Sequence, residues 1–436
     1  MIKTSRIVRT AALFAALAII TSVRMDGRSG PGLAGLMTAD CMAADEPIDP
    51  QRARQLMQRS QAGEKLSPED QAYLDRVRQE LQKRGKQKQG GGKAGPPGVA
   101  DRKFAESLTN LVPLIDLQGM YKGEDGGLYG GGKNEAPAAH QAAYRKESSK
   151  VQPLDADGRP AKDGKIGLIT IGFSNTSIES NDFKTAADAD ADKSPRVVVV
   201  NGAIGSRSAV MWAYDGADLL PKGEQERLDK AMDIFHMPKD NRKGSPTGGK
   251  DTWPTLAQRL TDAGLAPAQV QVVWMKQVEA GARNLGEFPA HARGLEADMA
   301  AMMIIAKKKY PNLRVAYVSS RTFGGWAGPA SGSPEPYAYE SGFAVRWMIQ
   351  SQIKGEAALN YDPARGEVKA PLLLWGPYLW AQGDTPRKAD GMVWTEFDVR
   401  SNDHMHPSDL GCKKVTAALL KMFKTDPAAR AWFVKQ

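Results

Sequence analysis

The sequence predicts an α/β protein in which a parallel sheet carries helices on both faces, and three observations predict it. Five short apolar runs have strand character: Ile166–Ile171, Val197–Val200, Val270–Trp274, Val315–Val318 and Leu372–Trp375. They are β-branched or leucine-rich and nearly continuous, as expected of strands buried on both faces. Helical patterns alternate with them, most clearly over Ala290–Lys309, Tyr339–Lys354 and Ser408–Phe423, and such alternation argues for a parallel sheet. With 436 residues, 41% hydrophobic and 25% charged, the chain can fill one large domain with appendages, which excludes a wholly disordered or collagen-like protein.

Taken in order, the chain opens with Lys3, Arg6 and Arg9 ahead of an apolar run from Ala11 to Val23, broken only by Thr21 and Ser22. A positive start and an apolar stretch too short to span a bilayer comfortably mark a secretory signal. We therefore expect residues 1–44 to be a signal peptide and the mature protein to be secreted or periplasmic, with no integral membrane segment. Cys41 lacks the small apolar residue usual before a lipoprotein cysteine, since Asp40 precedes it. Once 1–44 is removed, Cys412 is the only cysteine and no intramolecular disulfide can form.

Residues 45–88 read as a helical hairpin arm. Leu56 and Met57 mark the apolar side of its first helix. The second begins at Ser67-Pro68-Glu69-Asp70, an N-cap serine followed by proline at the first helical position, and Tyr73, Leu74, Val77 and Leu81 share one face. Residues 89–103 read as a Gly/Pro-rich linker and 104–436 as the main domain. Segments 206–268 and 321–370 exceed ordinary connections and are expected to be loops and short helices over the site end of the sheet.

The net charge of +9 is unevenly spread. Residues 1–28 carry +4, residues 29–50 carry −4, the arm and linker over 51–103 carry +7, and 104–436 carry only +2. No aromatic residues interleave with the lysines of the arm. A nearly neutral main domain and a merely charged arm remove the case for a nucleic-acid partner.

The chemistry lies at the carboxyl ends of the strands, where open parallel sheets bind ligands. The first strand runs into Gly172-Phe173-Ser174-Asn175-Thr176, with a helix expected from about Thr176 and Glu179 completing a capping box. A serine on such a turn presents its hydroxyl, and its N–H sits at a helix start. The second strand ends in Asn201-Gly202-Ala203-Ile204-Gly205-Ser206, a glycine turn whose amides can approach a substrate. The third ends in Trp274-Met275-Lys276-Gln277, offering an amide donor. Near the C-terminus comes Asp403-His404-Met405-His406-Pro407-Ser408, and an acid three residues before a histidine can orient the imidazole. Only five histidines exist in the chain, and two of them are here.

In this order of blocks the stretch from about 165 to 423 resembles the SGNH, or GDSL-type, hydrolases. That resemblance implies a flavodoxin-like three-layer sheet (SGNH hydrolase-like) with the short N-terminal helical arm outside it. It also implies a serine ester hydrolase without cofactor, in which Ser174 is the nucleophile, His406 the general base and Asp403 its orienting partner. The oxyanion donors would be the backbone N–H groups of Ser174 and Gly205 and the side chain of Gln277, with Asn284 as the fallback. Two positions depart from the family pattern: Phe173 stands where an Asp usually precedes the serine, and the third block lacks Gly-x-Asn-Asp. The expected substrate is a small acyl ester or an acetylated glycan. The alternative is a catalytically inactive SGNH-like carbohydrate- or surface-binding protein. Trp212, Trp326, Tyr337, Trp375 and Tyr378 are candidate sugar-stacking surfaces, with core packing as their competing role.

Two segments, Gly127–Lys133 and Gly244–Lys250, have P-loop spacing, but Asn134 and Asp251 occupy the Ser/Thr position and no apolar strand precedes either. A metal site at Asp403, His404 and His406 lacks a further ligand cluster, so no metal is expected.

Overall fold

The computed structural model describes Leu56 and residues 66–87, 100–213, 252–329, 331–332 and 334–435. The signal segment, most of the 89–103 linker and Gly244–Lys250 lie outside the described residues. Five parallel strands form the central sheet: β1 (Ile166–Gly172), β2 (Val197–Asn201), β3 (Val270–Lys276), β4 (Val315–Ser319) and β5 (Leu372–Trp375). Their order is 2-1-3-4-5, the doubly wound arrangement in which the chain reverses direction of travel between β1 and β3. Every residue of β1 and β3 is buried, which is why both read as nearly continuous apolar runs, interrupted only by Thr170 in β1 and by Gln271 and Lys276 in β3. Register pairs Gly172 with Lys276 and Thr170 with Asn201, so the ends of β1, β2 and β3 finish side by side.

Helices flank the sheet in two groups. One group joins α3 (Ala138–Ser148), α4 (Ser174–Ala189), α9 (Asp409–Thr425) and α10 (Pro427–Phe433). The other joins α5 (Ala209–Ala213), α6 (Thr252–Asp262), α7 (Ala290–Lys309) and α8 (Tyr337–Lys354). In the first group Phe423 is fully buried and stacks on Phe183 and Phe433, with the edges of Tyr317 and Trp432 against it. These aromatic contacts tie α4, β4, α9 and α10 into one core. The three lysines 307–309 end α7, where the helix dipole favours them.

Ahead of the sheet, α1 (Pro68–Gln87) starts where the cap pattern puts it: the Asp70 amide donates to the Ser67 hydroxyl at 3.1 Å. Tyr73, Leu74 and Val77 are buried along one face. The linker expectation is corrected at its end: Ala100 is buried and the Asp101 carboxylate caps α2 (Arg102–Ser107) by accepting from the Phe104 amide at 2.9 Å, so residues 100–103 belong to folded structure. The glycine-rich stretch from 119 contains a minimal hairpin, Met120–Tyr121 against Glu124–Asp125, fastened to α8 by the buried Arg346. Asp125 then accepts from the Gly131 amide at 2.5 Å. The amides of Tyr129, Gly130, Gly132 and Lys133 donate to carbonyls of the same turn, so these N–H groups are not gathered around a phosphate as a P-loop requires. Among the described residues no helix is long and apolar enough to cross a membrane.

Candidate active site

The turn after β1 is set by close approach. A Cβ on Gly172 would lie 2.3 Å from the Lys276 carbonyl oxygen and 2.5 Å from the Thr176 Cβ, so only glycine lets β1 and β3 finish together here. Phe173 is extended and α4 begins at Ser174, two residues earlier than the sequence pattern suggests. The expected capping box does not form. Instead the Thr176 hydroxyl donates to the Lys276 carbonyl at 2.6 Å, and Glu179 receives the Lys276 ammonium 2.6 Å from Oε1 and 2.5 Å from Oε2. A buried lysine on the neighbouring strand is a stronger, charge-assisted partner than a helix-start amide. Burial pushes the Glu179 carboxyl up and the Lys276 ammonium down, while their mutual attraction opposes both shifts. Replacing Gly172 with alanine is expected to cost about 3 kcal/mol or more, because the obstacle is backbone and cannot swing aside. Urea denaturation of the variant measures this, and an unchanged midpoint would contradict the packing described.

The histidine arrives on a closed loop. Val399 and Pro407 pair as an antiparallel bridge, the Arg400 amide donates to the His406 carbonyl at 2.8 Å, and the Ser408 amide donates to the Asp398 carbonyl at 2.9 Å. Inside it, Asp403 Oδ1 accepts the Met405 amide at 2.9 Å and the His406 amide at 2.8 Å. The other carboxylate oxygen lies 2.9 Å from His406 Nδ1, and His406 Nε2 lies 3.0 Å from Ser174 Oγ. Asn175 Nδ2 donates to the Met405 carbonyl at 3.0 Å, fastening this loop directly to the start of α4.

Burial raises the Asp403 pKa, but the hydrogen bonds from the His406 ring and from the two amides outweigh it and hold the carboxyl below the ordinary value. A depressed folded-state pKa means that its stabilising contribution is present above the ordinary carboxylate range. That contribution is lost as pH falls through the folded value. The side chains of His406 and Asp403 keep 23% and 28% of their exposure, so the imidazole is reachable from solvent.

On the other side of Ser174 stands the turn after β2. A Cβ on Gly205 would lie 4.0 Å from the Ser174 Cβ, and the Ile204 amide donates to the Gly172 carbonyl at 3.0 Å, tying that turn to β1. The first-turn amides of α4 have no intrahelical acceptor, which leaves the Ser174 N–H available for negative charge. Gln277 is buried. Its Oε1 accepts from the Val278 amide at 3.1 Å, and its Nε2 reaches the Arg207 carbonyl at 3.4 Å, so the side-chain amide joins the same turn at its far end. Asn284 stands on a separate 3-10 turn, Ala282–Asn284. The structure therefore brings Ser174, His406, Asp403 and Gly205 together directly and attaches Gln277 through Arg207.

Four of the five candidate stacking aromatics belong to the core. Trp212, Trp326, Trp375 and Tyr378 are buried; the indole N–H groups of Trp326 and Trp375 donate to the Trp394 and Leu128 carbonyls, and the Tyr378 hydroxyl accepts the Leu114 amide. Only Tyr337 keeps appreciable exposure, with its ring edge-on to His291 at 4.9 Å. Among the described residues no three His, Cys, Asp or Glu side chains converge as metal ligands. Sequence reasoning missed Asn175, Thr176 and the Glu179–Lys276 pair. The available signal was a lysine two residues past a strand read as fully buried, at the edge of the core, where an ammonium has to find a partner.

The arrangement can move a proton from the Ser174 hydroxyl to the His406 ring while the charge that forms there is balanced by Asp403. Comparison with protein-family models, with curated proteins and with solved structures finds no match to this chain.

Proposed function

We propose that this chain is a secreted or periplasmic serine ester hydrolase of the SGNH type that removes acetyl or other short acyl groups from a small acyl ester or an acetylated glycan. The observation that carries the reading is the unbroken relay of 3.0 Å from Ser174 Oγ to His406 Nε2 and 2.9 Å from His406 Nδ1 to Asp403. In the reaction His406 takes the Ser174 proton as Oγ bonds to the ester carbonyl carbon. The Ser174 and Gly205 N–H groups stabilise the resulting oxyanion, with the second N–H of Gln277 Nε2 as the third donor. Collapse breaks the ester C–O bond, and the alcohol leaves with the proton held by His406. Water then attacks the acyl-serine with the same histidine as base, releasing the acid and restoring the hydroxyl.

Secretion is supported by the basic start and apolar run of residues 3–23. The occupied Gln277 amide and Phe173 in place of an acid favour the second reading, a binding protein on an inactivated scaffold of this kind. A fluorophosphonate probe separates the two. The esterase reading expects a covalent adduct on the tryptic peptide containing Ser174, suppressed by a competing short acyl ester. Folded protein that takes up no probe would support the binder.

A further inference from the structure

We propose that Glu179 and Lys276 are positioning residues for the reaction, together locking the Ser174 hydroxyl and the Gln277 amide into one rigid frame. This rests on the esterase reading and assigns a role to a pair that touches no substrate. Thr176 and Glu179 are three apart on α4 and therefore face the same way. Both grip one strand residue: Thr176 holds the Lys276 carbonyl at 2.6 Å, and Glu179 holds its ammonium at 2.5–2.6 Å. Held at main chain and side chain at once, Lys276 fixes the rotation of α4 about its axis relative to β3. Ser174 begins that helix, and Gln277 is the next residue of that chain end. The clamp thus sets nucleophile against donor.

The surroundings fit a fixed element. Both side chains are wholly buried, and Arg321, itself 3% exposed at the end of β4, adds a second cation facing Glu179. An apolar pair of similar volume is commonly as stable as a buried ion pair, so stability alone gives little reason for charges here. What the charges supply is direction: a hydrogen-bonded pair fixes an orientation that two methyl-bearing side chains do not. A displacement of about 1 Å between reacting groups can cost on the order of 100-fold in rate.

The test is steady-state kinetics on a short acetyl ester with the full chain, alongside fluorophosphonate labelling. The double variant Glu179→Leu/Lys276→Met removes both charges while keeping the site filled. We expect it to fold with a lowered thermal midpoint, because the buried Arg321 keeps only Glu335 as a counter-charge, and to show a KM within about twofold and a kcat lowered about 30-fold or more, with probe labelling slowed in proportion. A folded double variant with wild-type kcat overturns the proposal while leaving the esterase reading intact. A wild-type protein that neither labels nor hydrolyses removes that reading instead, and the positioning role with it. Should the double variant fail to fold, Glu179→Asp keeps the charge and retracts the carboxylate by one methylene. It is expected to lower kcat about tenfold at unchanged KM. Unchanged kcat there overturns the proposal equally.

Discussion

Ser174→Ala is expected to reduce acetyl-ester turnover by about a million-fold, to the level that binding and the oxyanion donors alone provide. The effect should be confined to chemistry. Alanine is the best helix former and sits at the first position of α4, where no intrahelical hydrogen bond depends on the side chain. The one bond lost is that to His406 Nε2, and the partly exposed ring can take water in its place. The thermal midpoint should therefore stay within a few degrees of wild type while kcat disappears and fluorophosphonate no longer labels. The backbone N–H of residue 174 survives the change, so affinity for an oxyanion mimic should fall far less than kcat. A folded alanine variant that retains wild-type turnover would remove Ser174 from the mechanism and with it the proposed reaction.

The fold was legible because the strands that carry it are buried on both faces. Each of the five apolar runs is a strand of the sheet, and the pattern over Ala290–Lys309 is a helix with those bounds. Asp403 and His406 were legible for a different reason: their contact is made within one loop, across three residues. Their meeting with Ser174 could be anticipated only from the rule that parallel strands end on a common edge. What sequence reading missed is what depends on partners distant in the chain. Thr176 and Glu179 carry a capping-box pattern that is locally correct, but Lys276 on the adjacent strand competes for both side chains and wins. Aromatic residues near the site end read equally well as platforms or as core. Burial and the hydrogen bonds of Trp326, Trp375 and Tyr378 decide for core, and no periodicity encodes that.

Position on the sheet also explains why the site is where it is. β1 is flanked by β2 on one side and β3 on the other, so the chain leaving it opens onto the crevice between two diverging connections. Gly205 comes from one neighbour and Gln277 from the other, while Asn175 holds the histidine loop across the front.

Asp403→Asn is expected to lower kcat/KM by about 10,000-fold with little change in fold. The reason is directional. Asp403 Oδ1 accepts the Met405 and His406 amides, and an asparagine oxygen can keep both bonds, so the loop closed by Val399 and Pro407 stays formed. Its amide nitrogen must then occupy the place of Oδ2, 2.9 Å from His406 Nδ1. A donor there requires an unprotonated Nδ1, which moves the ring proton to Nε2. That nitrogen faces Ser174 and can no longer accept its proton. The variant also removes a carboxylate whose hydrogen bonds hold it ionised below the usual range, so the wild type should lose more stability than the variant as pH falls from the ordinary carboxylate range through the lowered folded value. Kinetics on a short acyl ester and thermal melts across the acid range measure both effects. Asparagine in place of Asp403 with wild-type kcat/KM would show that the carboxylate does not orient the base, however well the distances suit that role.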